Sequence, residues 1–194
     1  MALFNAGSLA LPDGSQLRVV DYQTPLKARR EDRTGKIDGA GLLTDGSLCL
    51  MELKSPKNGN GDSPFRALLE SVAYAAVVEA NREQFVSELE DLSRSEERFG
   101  SFRDGPLSLL VVGTQSWWRK WETSTKAGDW KGPLAALSEE LSKCIGHRIA
   151  YGALEGFTFT DEDHGTREKR PLLRGTPLLV PVRGLPGLPL SSEI

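Results

Sequence analysis

The chain has 194 residues, of which 39% are hydrophobic and 26% charged, with a formal net charge of -3. That length allows one sizeable core and excludes two full domains, and the composition is that of a soluble globular protein. The negative balance excludes a chain that binds nucleic acid through overall basicity, so any such binding must use a local patch.

Cys49 and Cys144 form no Cys-x-x-Cys pair, and His147 and His164 lie far apart in the chain, which argues against a structural zinc site. Cys49 sits in the apolar run Ser47-Leu48-Cys49-Leu50-Met51 and reads as a buried free thiol. The first residues, Met1-Ala2-Leu3-Phe4-Asn5, have no basic start and no long apolar stretch. A cytoplasmic protein without a membrane span is expected.

In chain order, residues 8–11 and 16–21 read as a strand hairpin around the turn sequence Pro12-Asp13-Gly14. A basic stretch follows over 27–36, with Lys27, Arg29, Arg30, Arg33 and Lys36 against Glu31 and Asp32. A second hairpin joins 36–43 to 47–54 through Thr44-Asp45-Gly46, and its second strand is apolar enough to be central. Residues 55–62 have loop composition. Ser63 is a helix cap with Pro64 at the first helical position. Phe65, Leu68, Leu69, Val72, Ala76 and Val77 recur at helical spacing. A bend near Asn81 leads to a second helical part with an acidic, solvated face.

Residues 107–112 form a buried strand, 133–144 a helix ended by Gly146, and 148–160 a strand interrupted by Gly152 and Gly156. Residues 178–182 read as an edge strand, because Pro177 and Pro181 exclude a central one. The tail 184–194 is rich in Gly and Pro. This order predicts an α/β protein with a mixed central β-sheet flanked by helices, and one domain over 1–183.

The chemistry-bearing residues lie on the second hairpin. Glu52 and Lys54 are two apart on a strand and point the same way. If Thr44-Asp45-Gly46 is a three-residue loop with Gly46 left-handed, Leu43 faces Ser47 and Asp38 falls opposite Glu52. If Asp45-Gly46 is a two-residue turn, Gly39 faces Glu52 and Asp38 points away. With the first closure, two carboxylates repel at close range and a hard divalent cation relieves the repulsion. The competing reading is a surface salt-bridge cluster at a strand end.

Asp38 followed by Glu52-Leu53-Lys54 resembles the PD-(D/E)XK nuclease superfamily, which has the restriction-endonuclease-like fold. Glu70-Ser71-Val72-Ala73-Tyr74 is similar to the Gln/Glu-x-x-x-Tyr element of its exonuclease-like branch. The resemblance covers 36 to about 112 and makes 8–21 an N-terminal β-hairpin addition to that core. It implies a nuclease with Asp38, Glu52, Lys54, Glu70 and Tyr74 in the catalytic site. It also implies Mg²⁺ or Mn²⁺ on Asp38, Glu52 and the Leu53 carbonyl. Two departures stand out: no helix is predicted before Asp38, and Ile37 replaces the motif's proline. The alternative is a catalytically inactive relative that binds nucleic acid or a protein partner. Many members of the superfamily act as homodimers, and the sequence marks no interface here.

The expected nucleic-acid partner is DNA, met by Arg30, Arg33 and Lys36 before the site and by Arg66 on the helix. Further along, Trp117, Arg119 and Lys120 belong to a basic aromatic cluster that also holds Trp118, Trp121 and Trp130. Such a cluster can stack bases and neutralise phosphates. It can equally be a satellite core. Asp161-Glu162-Asp163-His164 reads as a polar turn. Neither a Gly-x-Ser-x-Gly nucleophile element nor a Gly-rich phosphate loop with lysine is present.

Overall fold

In the computed structural model, which describes residues 2–25, 36–55, 62–95, 101–125, 128–162 and 170–188, the apolar runs pair into one main sheet. A short helix α1 (Ala2–Ala6) leads into β1 (Ser8–Ala10) and β2 (Gln16–Pro25), an antiparallel hairpin with Leu9 opposite Leu17. β2 pairs antiparallel with β3 (Lys36–Leu42), and β3 with β4 (Ser47–Lys54). The chain then passes through α2 (Pro64–Ala80) and α3 (Arg82–Ser95) to β5 (Arg103–Thr114), which is parallel to β4. It continues through α4 (Gln115–Glu122) and α5 (Lys131–Ile145) to β6 (Arg148–Glu155), parallel to β5. β7 (Thr158–Glu162) and β8 (Arg170–Arg174) make a separate antiparallel ribbon, and β9 (Leu178–Pro181) returns antiparallel to β6.

Alternation along β4 divides the core in two. Leu48 and Leu50 join the apolar cluster that contains Ala67 and Leu68 of α2, whereas Cys49 and Met51 join Leu9, Leu17, Leu110, Val112 and Leu179. A strand covered on both faces reads as an unbroken apolar run, which is why β4 does. α2 starts where its first residues dictate. Ser63 is extended (φ -80°, ψ 160°) and its hydroxyl accepts from the Arg66 N–H at 3.2 Å, with Pro64 next in line.

The structure corrects the expectation of an open sheet flanked by helices in the restriction-endonuclease-like manner. Seven strands close into a mixed barrel in the order β1-β2-β3-β4-β5-β6-β9 and back to β1. The seam is a parallel pairing of Ala10 with Leu178, with the Ala10 N–H donating to the Pro177 carbonyl at 2.9 Å. The N-terminal hairpin, read as an addition to the core, and the segment read as an edge strand are therefore neighbours. Each edge offers unpaired backbone groups, and pairing them satisfies both. β9 is accordingly not an edge strand. Pro177 and Pro181 bracket it, so their missing N–H groups fall outside or at its last residue. The inner cluster draws Leu9, Leu17, Val19, Cys49, Met51, Leu110, Val112, Ala150 and Leu179 from the barrel strands, while α2 and α5 cover the outer face.

Two smaller differences are local. The run 148–160 is not one strand, because Gly156 at φ +75° turns the chain out of the barrel and into the ribbon. Residues 115–122 are helical, capped by the Thr114 side chain. Gly146 ends α5 in the left-handed conformation at φ +70°, as a C-terminal glycine does. Among the described residues no helix is long and apolar enough to cross a membrane. Arg30 and Arg33, with most of the basic stretch, lie outside the described residues, as do His164, 56–61 and 189–194.

Candidate functional site

Gly46 sits at φ +82°, and the Leu43 N–H donates to the Ser47 carbonyl at 3.0 Å. The hairpin thus closes on three residues. The ladder runs from Leu42 opposite Leu48 to Gly39 opposite Met51, and it stops there. Continued by one residue, the same register sets Asp38 opposite Glu52. Asp38 takes over where the ladder ends, and its Oδ2 accepts from the Leu53 N–H at 3.0 Å. A strand residue presents its N–H and C=O to the same neighbour, so the Leu53 carbonyl also leaves β4 on the Asp38 side.

On the other flank Tyr22 faces Gly39 and Thr24 faces Ile37, which leaves Gln23 across from Asp38. Gln23 has φ +52°, a left-handed conformation that side-chain-bearing residues rarely adopt. This departure in β2 lies across from Asp38, at the point where the β3–β4 ladder has ended. Held strain of this kind concentrates at functional sites.

Lys54 fills the next position on the same face of β4. Its Nζ lies 2.7 Å from Glu52 Oε1, 2.8 Å from Glu70 Oε2 and 3.0 Å from Asp62 Oδ2. Arg66 Nε lies 2.9 Å from Glu70 Oε1 and 3.3 Å from Asp62 Oδ1. Exposure grades from floor to rim, with side chains 5% exposed at Glu52, 26% at Glu70 and 62% at Arg66. Arg66, Glu70 and Tyr74 share one face of α2 because residues four apart in a helix stack.

The electrostatics are unbalanced. Among the described residues, four carboxyl groups, Asp38, Glu52, Asp62 and Glu70, gather around two cations, Lys54 and Arg66. Burial first, and the Asp38 charge second, push the Glu52 carboxyl up to about 8. Burial also raises Asp38, against the lowering effect of the Leu53 N–H and Lys54. Glu70 goes the other way: burial would raise it, but hydrogen bonds from Lys54 and Arg66 prevail and hold it low. For Lys54, burial disfavours the charge, yet its bonds to Glu52 and Glu70 keep it above the usual lysine value. Tyr74, half-buried, is pushed up to about 12 by burial and then by the Glu52 charge, so it stays a neutral donor.

One atom tests whether a cation fits. Glu52 Oε2 is buried and has no hydrogen-bond partner. A carboxylate oxygen without a donor, beside the half-buried Asp38 carboxyl, has the chemistry of a divalent-cation ligand. Among the described residues no group of three or more His, Cys, Asp or Glu is placed to hold a metal. A pair of carboxylates is nevertheless enough for Mg²⁺, which is bound through one or two carboxylates plus water and phosphate oxygens. The donor set of Asp38, Glu52 and the Leu53 carbonyl fits that cation.

The expected nucleic-acid contacts fare unevenly. Lys36, Arg119 and Lys120 are exposed. Arg66 is exposed too but is engaged by Asp62 and Glu70. Trp117 is fully buried, which corrects its expected role in stacking bases. The indoles belong to the same core cluster as Leu68 and Leu109: Trp118 Nε1 donates to the Gly152 carbonyl at 3.0 Å and Trp130 Nε1 to the Trp121 carbonyl at 3.1 Å. Gly113 makes room for them, since a Cβ there would stand 2.5 Å from Trp117 Cε3. Asp62, just ahead of the α2 cap, is the site residue that sequence reasoning missed. Loop composition concealed it, and the signal available was an acidic residue leading into a capped helix. No protein-family model matches this chain, and no curated protein or solved structure does either.

Proposed function

We propose that the protein is a divalent-metal-dependent nuclease that hydrolyses phosphodiester bonds in DNA, with Mg²⁺ or Mn²⁺ on Asp38, Glu52 and the Leu53 carbonyl. The observation that carries this reading is Glu52 Oε2, a buried oxygen without a donor, next to the Asp38 carboxylate. The reading takes from PD-(D/E)XK nucleases their motif and chemistry, and leaves their sheet aside. When bound, the cation activates a water and offsets charge on the phosphate.

The chain's own groups supply the rest. Asp38 and Glu52 bring the negative pair that selects a hard cation. Lys54 presents a fixed ammonium where negative charge develops on the phosphate, which stabilises the transition state more than the ground state. Tyr74 remains protonated and can donate to a phosphate oxygen. Lys36 at the start of β3, and Arg119 and Lys120 on α4, offer exposed cations to the DNA backbone at the end of the sheet where β4 finishes. Free Cys49 and Cys144 suit a reducing compartment, and the cytoplasm is proposed.

Single- and double-stranded DNA and RNA, incubated with Mg²⁺ or Mn²⁺ and with a chelator control, test the proposal. DNA cleavage is expected, abolished by the chelator and lowered about 100-fold or more by Asp38→Ala and by Lys54→Ala. Unchanged rates in both variants would sink the site. Binding of DNA without cleavage in either metal would make the protein a non-cleaving nucleic-acid binder instead.

A further inference from the structure

Lys54, Asp62, Arg66 and Glu70 form a closed ring of ion pairs. Lys54 Nζ meets Asp62 Oδ2 at 3.0 Å and Glu70 Oε2 at 2.8 Å, while Arg66 Nε meets Asp62 Oδ1 at 3.3 Å and Glu70 Oε1 at 2.9 Å. Each carboxylate spends one oxygen on each cation. The ring therefore sets two cations against two carboxylates, with Asp38 and Glu52 outside it.

The third donor of the Lys54 ammonium goes to Glu52 Oε1 at 2.7 Å. A cation on Glu52 Oε2 weakens that contact, because it draws charge from the same carboxylate and repels the ammonium. A lysine held by Glu52 alone would swing away on metal binding. Lys54 is also held by two further carboxylates, Asp62 just ahead of α2 and Glu70 within it, each braced by Arg66.

From this ring, and resting on the nuclease reading, we propose that Asp62 is a positioning residue. With Glu70 it keeps the Lys54 ammonium beside the metal pocket when a cation on Glu52 weakens the Glu52–Lys54 contact. Asp62 itself binds neither metal nor DNA. Loss of one of the two grips leaves Lys54 mobile in the loaded site, which slows the chemical step without weakening metal or substrate binding.

The test compares wild type, Asp62→Asn and Asp62→Glu in three measurements. The first is the single-turnover cleavage rate at saturating Mn²⁺. The second is Mn²⁺ and DNA affinity, the latter measured in Ca²⁺. The third is the rate at which an amine-reactive reagent labels Lys54 in metal-free protein. Asp62→Asn is expected to slow cleavage roughly 10- to 100-fold, as loss of a group supporting a catalytic residue does. It should keep both affinities within about twofold and label Lys54 faster, with Asp62→Glu restoring part of each. A wild-type cleavage rate or unchanged Lys54 labelling in Asp62→Asn overturns the proposal, and so does a tenfold loss of Mn²⁺ affinity, which would make Asp62 a ligand. If the wild type cleaves nothing, the nuclease reading fails and the labelling decides the positioning of Lys54 by itself.

Discussion

Glu52 is a carboxylate in a place that disfavours its charge, and this has a measurable consequence. Its folded-state value of about 8 lies above the ordinary 4.5. Between those two values the folded protein keeps a proton that the unfolded chain has already released. Stability from this group is complete below about pH 4.5 and is lost as pH rises through about 8. A divalent cation replaces that proton, so its stabilising effect should grow over the same window. Thermal unfolding from pH 5 to 8.5, with and without Mn²⁺, is expected to show a falling melting temperature that Mn²⁺ restores. At a hundredfold excess over Kd the gain is about 2.7 kcal/mol. Glu52→Gln should flatten both trends. If the variant melts with the same pH and Mn²⁺ dependence as wild type, Glu52 is not the group responsible. The pair Glu52 and Lys54 was legible from spacing alone, because strand alternation is local. The raised Glu52 carboxyl was not, since it depends on how much water the packed helix α2 excludes.

The β3–β4 hairpin brings Asp38 to Glu52, and Gly46 is its hinge. At φ +82° any side chain is strained, and a Cβ at Gly46 would also lie 2.5 Å from the Ser101 carbonyl oxygen. Asp45 braces the same turn, accepting from the Ser47 N–H at 3.0 Å and its hydroxyl at 2.6 Å. Gly46→Ala is expected to cost about 1–3 kcal/mol, from left-handed strain plus the clash, read as a lowered denaturation midpoint. A variant as stable as wild type would show that the turn tolerates another conformation. Both closures of this turn were open in the sequence. Turn composition narrows the choice but does not make it, and the contact between Gly46 and 101–103 helps decide it, with the Arg103 N–H donating to the Gly46 carbonyl at 2.8 Å. The tryptophan helix α4 was open in the same way. Its spacing suits base stacking as well as burial, and the inward turn of the indoles rests on tertiary contacts: the space over Gly113 and the Gly152 carbonyl that accepts from Trp118 Nε1.

At the scale of the whole molecule, the barrel seam is narrow. β1 and β9 meet through Ala10 and Leu178, and the Ala10 N–H donates across the seam to the Pro177 carbonyl. Ala10→Pro removes that donor and should cost about 1–3 kcal/mol. Amide exchange is expected to speed up around the seam while β4, β5 and β6 stay protected. Unchanged exchange at the seam would mean that side-chain packing, and not this bond, closes the barrel.

The capped start of α2, the apolar β4 that ends in Glu52 and Lys54, and a turn able to put Asp38 beside them all follow from local residue patterns. Those features rest on backbone preferences and alternation within a few residues. Tertiary structure alone decided the rest. Closure of the sheet joins residues 10 and 178, the ion-pair ring draws Asp62 onto Lys54, and burial of Trp117 removes it from the surface. Each depends on pairing and desolvation between segments distant in the chain, which no local pattern of residue types encodes.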